Sequence, residues 1–175
     1  MNRRFSPRDL AWAGLFAALI ILCTYITVPL PTGVPLTLQT FALALAGFLL
    51  GPAYGVLAVL VYLLLGAAGL PVFSGFAGGV SRFFGPTGGF LWGFPLLALG
   101  CGLVRKRPFL LRLLPGLGGL LACHLLGAAW YARSAALTFP AAALAVSLPF
   151  LPKDAASLAL ALLFARALER RKVLK

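Results

Sequence analysis

Charge is what this sequence has least of. Among 175 residues only Asp9, Asp154 and Glu169 are acidic, His124 is the one histidine, and no residue between Asp9 and Arg82 carries a charge. With 10% charged and 62% hydrophobic residues and a mean hydropathy of +1.03, the chain lies well outside the composition of soluble domains. So few acids and one imidazole leave no constellation for a nucleophile, base or metal, which argues against an enzyme. Cys23, Cys101 and Cys123 stand singly inside apolar segments without a CxxC, so neither a disulfide nor a metal site is expected; they read as small buried hydrophobes. The pattern GxxxxGK[ST] is missing, so nucleotide hydrolysis would have to come from partners.

What is abundant is hydrocarbon with few charges. Stretches 10–28, 88–104 and 109–130 are long enough, or nearly so, to cross a hydrocarbon core of about 30 Å as helices. The first lacks a convincing cleavage site and similar segments follow it, so it reads as a retained helix rather than a signal peptide. The chain is therefore expected to be an all-α, multi-pass protein of the cell membrane in one domain, residues 1–175. Its net charge of +12 is gathered at Arg3, Arg4 and Arg8, at Arg105, Lys106, Arg107 and Arg112, and at Arg166, Arg170, Arg171, Lys172 and Lys175. Basic ends and one basic loop are a topology signal that puts both termini and "RKRP" in the cytoplasm, and they exclude nucleic acid as the natural partner.

Six transmembrane helices fit this sign pattern. Boundaries fall near 9–29, 38–50, 52–69, 87–104, 109–130 and 155–167, with Gly51-Pro52 separating the second from the third. The segment 135–151 becomes an outer re-entrant or interfacial helix broken by Pro140 and Pro149, since a seventh crossing would put the basic C-terminus outside. "PLPTGVPLTLQ" and residues 70–86 form irregular outer loops.

The unusual residues sit in or beside those loops. "FAGGVSRFFGPTGGF" is either a binding loop or lid whose backbone lines a watered pocket, or a tight connector that lets helices approach. Asp154 is either the N-cap of the last helix or an acceptor facing a cavity. Arg82, Arg133 and Lys153, outer-face cations, could bind an anionic group or snorkel to headgroups, and Arg82 is the strongest candidate. His124 reads as a bundle-facing hydrogen-bonding residue rather than a proton relay, and Phe73, Phe76, Phe83, Phe84, Phe90 and Trp92 as ligand-stacking rings or an interfacial belt.

Taken in order and position, "PTGVPLTLQTFA", "GLPVFSGFAGGVSRFFGPTGGFLWGFP" and "PFLPKD" resemble the signature segments of the BioY family, the biotin-binding S components of energy-coupling-factor (ECF) vitamin transporters. The resemblance covers nearly the whole chain. It implies a six-helix bundle, no catalysis, no cofactor, biotin as transported ligand, and as partners a transmembrane coupling subunit and a pair of cytoplasmic ATPases. Carried residue by residue, the loop motifs place ligand-binding positions at Thr37 and Gln39, at Phe73, at Gly78, Gly79, Ser81 and Arg82, at Gly85, Thr87, Gly88 and Gly89, and at Lys153 and Asp154. Ser157 stands where the family's D-x-x-K has lysine; Lys153 is expected to point elsewhere on the helix, which makes Arg82 the preferred partner of the ligand carboxylate. Ala13 and Ala17, with Gly14 and Ala18 beside them, resemble the AxxxA docking pattern of S components. An S component for another vitamin, a membrane enzyme and a structural subunit are the alternatives.

Overall fold

The computed structural model describes residues 6–103 and 108–171. Arg3, Arg4, Arg105, Lys106, Arg107, Lys172 and Lys175 lie outside the described residues. α1 (Pro7–Tyr25) carries proline in its first turn, where no N–H is needed, and buries Ala13, Phe16, Ala17, Ile20 and Thr24 at helical spacing. A two-stranded hairpin follows, β1 (Thr27–Val28) antiparallel to β2 (Leu36–Thr37) with Thr27 opposite Thr37. The sequence reads this segment as wholly irregular. Its prolines do bar helix, but they leave room for one short ladder.

α2 (Gln39–Ala67) is two helices in one. Gly51 takes φ 82° and ψ −177°, which a side chain would strain, and the chain reverses there. A Cβ on Gly55 would lie 2.9 Å from the Cα of Gly47, and Gln39 Nε2 donates to Tyr62 Oη at 2.8 Å, so the arms 39–50 and 52–67 run antiparallel in contact. The expected break at Gly51-Pro52 is the hairpin turn. Among the described residues, by length and apolarity, only Pro7–Tyr25, Gln39–Ala67 and Leu111–Ser134 are long enough to cross a membrane singly, with the bent pair Phe139–Val146 and Leu151–Arg170 a fourth. Because Gln39–Ala67 folds back on itself, that count understates the bundle. Among the described residues the six longer segments are α1, the two arms of α2, α3 (Gly88–Leu103), α4 (Phe109–Ser134) and α6 (Leu151–Arg170), with α5 (Phe139–Val146) a short addition.

α3 and α4 approach through small residues. A Cβ on Gly93 would sit 2.8 Å from Cys123 Cα, and one on Gly119 2.8 Å from the Leu96 carbonyl, so backbone meets backbone along the seam. Pro140 and Pro152 begin α5 and α6 rather than breaking them, and the two helices meet at 55°. α6 thus starts earlier than the sequence suggests. Its N-cap is Phe150, and Asp154 lies inside the first turn, its N–H bonded to the Phe150 carbonyl at 2.9 Å. That overturns the capping reading of Asp154.

Two further expectations change. Ala13 and Ala17 are 1% and 2% exposed and pack α1 into the core, so they cannot form an outer docking face; Gly14 and Ala18 are the outward pair. Arg112, read as part of a basic topology cluster, is 4% exposed. Its Nη1 and Nη2 donate to Glu169 Oε2 and Oε1 at 2.9 and 3.2 Å, and Nη2 also donates to the Phe48 carbonyl at 2.9 Å. The helical donor for that carbonyl would be residue 52, a proline without an N–H, so Arg112 fills the vacancy the hairpin creates. This clamp joins α4, α6 and the first arm of α2 at one end of the bundle. The start of α1 and the end of α6 share that end; the β-hairpin, the loop 70–87 and the start of α6 share the other.

Candidate ligand-binding site

A cavity of about 420 Å³ opens at the hairpin end, within the range of small-molecule sites. The hairpin supplies Leu30, Val34 and Thr37, the first arm of α2 supplies Gln39 and Thr40, and the second supplies Tyr62. Phe73, Ser74 and Gly75 come from the loop after α2, Arg82 from a 3-10 turn (Val80–Phe83), and Phe90, Leu91 and Phe94 from α3. His124 from α4 and Phe150, Lys153 and Asp154 from the start of α6 complete the lining.

Polar groups converge at the α6 side. Asp154, 5% exposed, faces His124 with Oδ2 and Nε2 3.2 Å apart, and its other oxygen meets the Lys153 ammonium. Lys153 Nζ also donates to the Thr37 carbonyl at 2.8 Å, which fastens the hairpin to α6. At the far side of the hairpin Tyr131 Oη donates to the Thr32 carbonyl at 3.0 Å. The hairpin is therefore a strap held from two helices. Opposite these groups the walls are aromatic: Phe73 stands edge-on to Tyr62 with centroids 5.4 Å apart, and Phe90 edge-on to His124 at 5.8 Å. Arg82 is exposed and lines the cavity, so it stands at the mouth. Arg133 is exposed and is not among the lining residues.

Of the positions singled out in the sequence, the cavity brings together Thr37, Gln39, Phe73, Arg82, Gly85, Thr87, Lys153 and Asp154. Gly78, Gly79, Ser81, Gly88 and Gly89 stand behind it. A Cβ on Gly78 would meet the Gly69 carbonyl at 2.7 Å, and Gly79 takes φ 98° while its N–H bonds the Gly66 carbonyl at 2.7 Å, so both shape the loop. Ser81 is exposed on the 3-10 turn. Gly88 and Gly89 let α3 begin against α4: a Cβ on Gly88 would fall 3.0 Å from Trp130 Nε1, and one on Gly89 2.5 Å from the Leu126 carbonyl. Trp130 Nε1 donates to the Gly85 carbonyl at 3.0 Å, pinning the turn that carries Thr87. The glycines of "GPTGG" thus serve as both connector and cavity wall, at different positions.

Lys153 does not point away as its helical position suggested, because its four-carbon stem curls back to the neighbouring carboxylate and the hairpin. Ser157, in the next turn, is buried and is not among the lining residues. Sequence reasoning did not place His124 in the site. The signal was available: the one histidine and the one carboxylate away from the chain ends, both in largely apolar helices, are natural partners.

Residues 1–173 match the family model described as the BioY family. Among curated proteins the chain is 40% identical over 162 residues to the "Probable biotin transporter BioY" of Pyrococcus horikoshii, covering 93% of this chain and 96% of that one. It is 48% identical over 122 residues to the "Biotin transporter BioY" of Thermotoga maritima, covering 69% and 72%. Its fold also matches the crystal structure of the S-component for biotin from an ECF-type ABC transporter, with a TM-score of 0.87 and 27% identity over 97% of this chain and 95% of that chain. A multi-pass helical bundle with this cavity, matched by the family model over nearly its full length, belongs to the BioY family.

Proposed function

We propose that this chain binds biotin as the S component of an ECF transporter and mediates its uptake. The observation that carries the reading is Asp154, a buried carboxylate lining a cavity that also presents the rings of Tyr62, Phe73, Phe90, Phe94 and Phe150. Biotin presents two ureido N–H donors and a carbonyl at one end, an apolar bicycle, and a carboxylate on a flexible tail. Asp154 accepts from the N–H groups, Lys153 donates to the ureido oxygen, Phe73 and Phe90 pack on the bicycle, and Arg82 at the mouth meets the tail carboxylate. The resemblance of the whole fold to a biotin S-component supports the same ligand.

Purified protein is expected to bind biotin in preference to thiamine and riboflavin without hydrolysing ATP; competition by all three vitamins alike would overturn the assignment. Arg82→Ala is expected to weaken biotin about 10-fold while changing the affinity of an uncharged biotin amide less than about twofold, because only the acid loses a counter-charge. Equal losses for acid and amide would remove Arg82 from the site.

Both chain ends lie in the cytoplasm in this reading, with the cavity facing outward. Arg8, Arg112, Arg166, Arg170 and Arg171 belong to the bundle end away from the cavity, in keeping with the positive-inside bias. Energy comes from an ECF coupling subunit and an ATPase pair. On α1 the docking face is the outward one that carries Gly14 and Ala18, where nothing lies within 4 Å of a Cβ built on Gly14. Gly14→Phe is expected to slow uptake in the assembled transporter and to leave biotin binding by the isolated chain unchanged.

A further inference from the structure

His124 is a buried polar group of the cavity that the reading above leaves unused. Its side chain is 5% exposed and that of Asp154 7%, and Nε2 lies 3.2 Å from Asp154 Oδ2. Nδ1 is buried with no hydrogen-bond partner among the described residues. A carboxylate only accepts, so the proton in the contact belongs to Nε2. The backbone beneath the ring is also tied: Ser147 Oγ, in the turn between α5 and α6, donates to the His124 carbonyl at 3.3 Å.

Asp154 has Thr40, Lys153 and His124 around it. Its Oδ1 side faces Lys153, a flexible side chain whose ammonium is shared with the Thr37 carbonyl. Such a partner can follow the carboxylate as it rotates. His124 is different in kind: a ring fixed on α4, packed edge-on against Phe90, and in contact with the other oxygen. With the Lys153 charge against one oxygen and the fixed His124 ring against the other, the carboxylate plane is set before a ligand arrives. An ionised carboxylate offers about four lone-pair directions, so acceptor capacity remains for ligand N–H groups after Lys153 and His124 have taken theirs.

The geometry points to His124 as a positioning residue that sets specificity: it holds Asp154 in the orientation that accepts the N–H donors of a cyclic urea. This role rests on the biotin reading. A double-mutant cycle tests it, with biotin affinity measured for wild type, His124→Leu, Asp154→Asn and the double variant. His124→Leu is expected to weaken biotin about 10-fold in the wild-type background and less than about twofold once Asp154 is Asn, since nothing remains to position. Biotin methylated on its ureido nitrogens is expected to bind wild type and His124→Leu alike. His124→Gln, whose amide nitrogen still reaches toward Asp154, is expected to recover most of the affinity.

Additive losses, equal losses for the methylated ligand, or His124→Gln behaving like His124→Leu would each overturn the role. Should His124→Leu fail to fold, His124→Gln and the shorter His124→Asn decide: retained affinity in the first and loss in the second supports positioning, and equal affinity contradicts it. Absence of biotin binding by wild type overturns the biotin reading and this role together. A wild type that binds, with additive losses, overturns this role alone.

Discussion

Asp154→Asn is expected to weaken biotin binding about 10-fold to 150-fold, the range of a lost charge-assisted hydrogen bond of about 1.5–3 kcal/mol. Asparagine keeps the size of the side chain, but it removes the charge that opposes Lys153 and turns one acceptor oxygen into a donor. Helix capping does not enter the outcome, because Asp154 lies in the first turn of α6 and makes no side-chain cap bond. The fold should survive, which thermal unfolding in detergent checks. Equal affinities for wild type and variant would assign Asp154 a purely structural role and remove the main polar anchor of the site.

Glu169→Ala is expected to be the most destabilising single change away from the cavity. It leaves the Arg112 guanidinium buried with no carboxylate from α6, while the Phe48 carbonyl still needs one of its N–H groups. Breaking a buried pair costs about 3–5 kcal/mol, and because the Glu169 side chain is 31% exposed the lower end applies. For a chain of this size that corresponds to a fall of roughly 6–12 °C in apparent melting temperature. Replacing both residues with methionine is expected to restore much of the loss, since no lone charge then remains buried. Biotin affinity of the folded Glu169→Ala protein should be unchanged, as the clamp is at the opposite end from the cavity. An unchanged melting temperature would show that the pair contributes little.

The helix count was readable from hydropathy together with the gaps between charges, and the Gly51-Pro52 break from elementary backbone rules. The packed face of α1 was not readable. Leu15 and Leu22 are exposed while Ala13 and Ala17 are buried, so hydrophobicity does not mark the inside in a helix whose outer face meets lipid. The small-residue spacing marked two faces at once, and the pair singled out in the sequence, Ala13 and Ala17, is the one that packs inward. Arg112 misled for a related reason: basic residues near a helix end ordinarily report topology, and only the antiparallel return of α2 reveals the orphaned carbonyl it serves. Asp154 and Arg82 stood out as anomalies of charge, and Phe73 and Thr87 came from the family's loop motifs. His124 stood out as the one histidine but was not placed in the cavity, and Tyr62 and Phe150 did not stand out, because their place depends on which helices become neighbours. The glycines behind the cavity were conspicuous for backbone reasons that a sequence does not separate from ligand contact.

The central claim is that biotin occupies the cavity beneath the hairpin and that this cavity opens to the outside. Ser74 lines the cavity, whereas Ser81 is exposed and lies outside the lining. In a chain whose three native cysteines are replaced by alanine, Ser74→Cys and Ser81→Cys can each be labelled on intact cells with a membrane-impermeant maleimide, with and without saturating biotin. Both positions are expected to react from outside, with biotin slowing the reaction at residue 74 at least about 10-fold and leaving residue 81 within about twofold. Reaction at both positions only after the membrane is opened, or equal rates at residue 74 with and without biotin, would contradict the account.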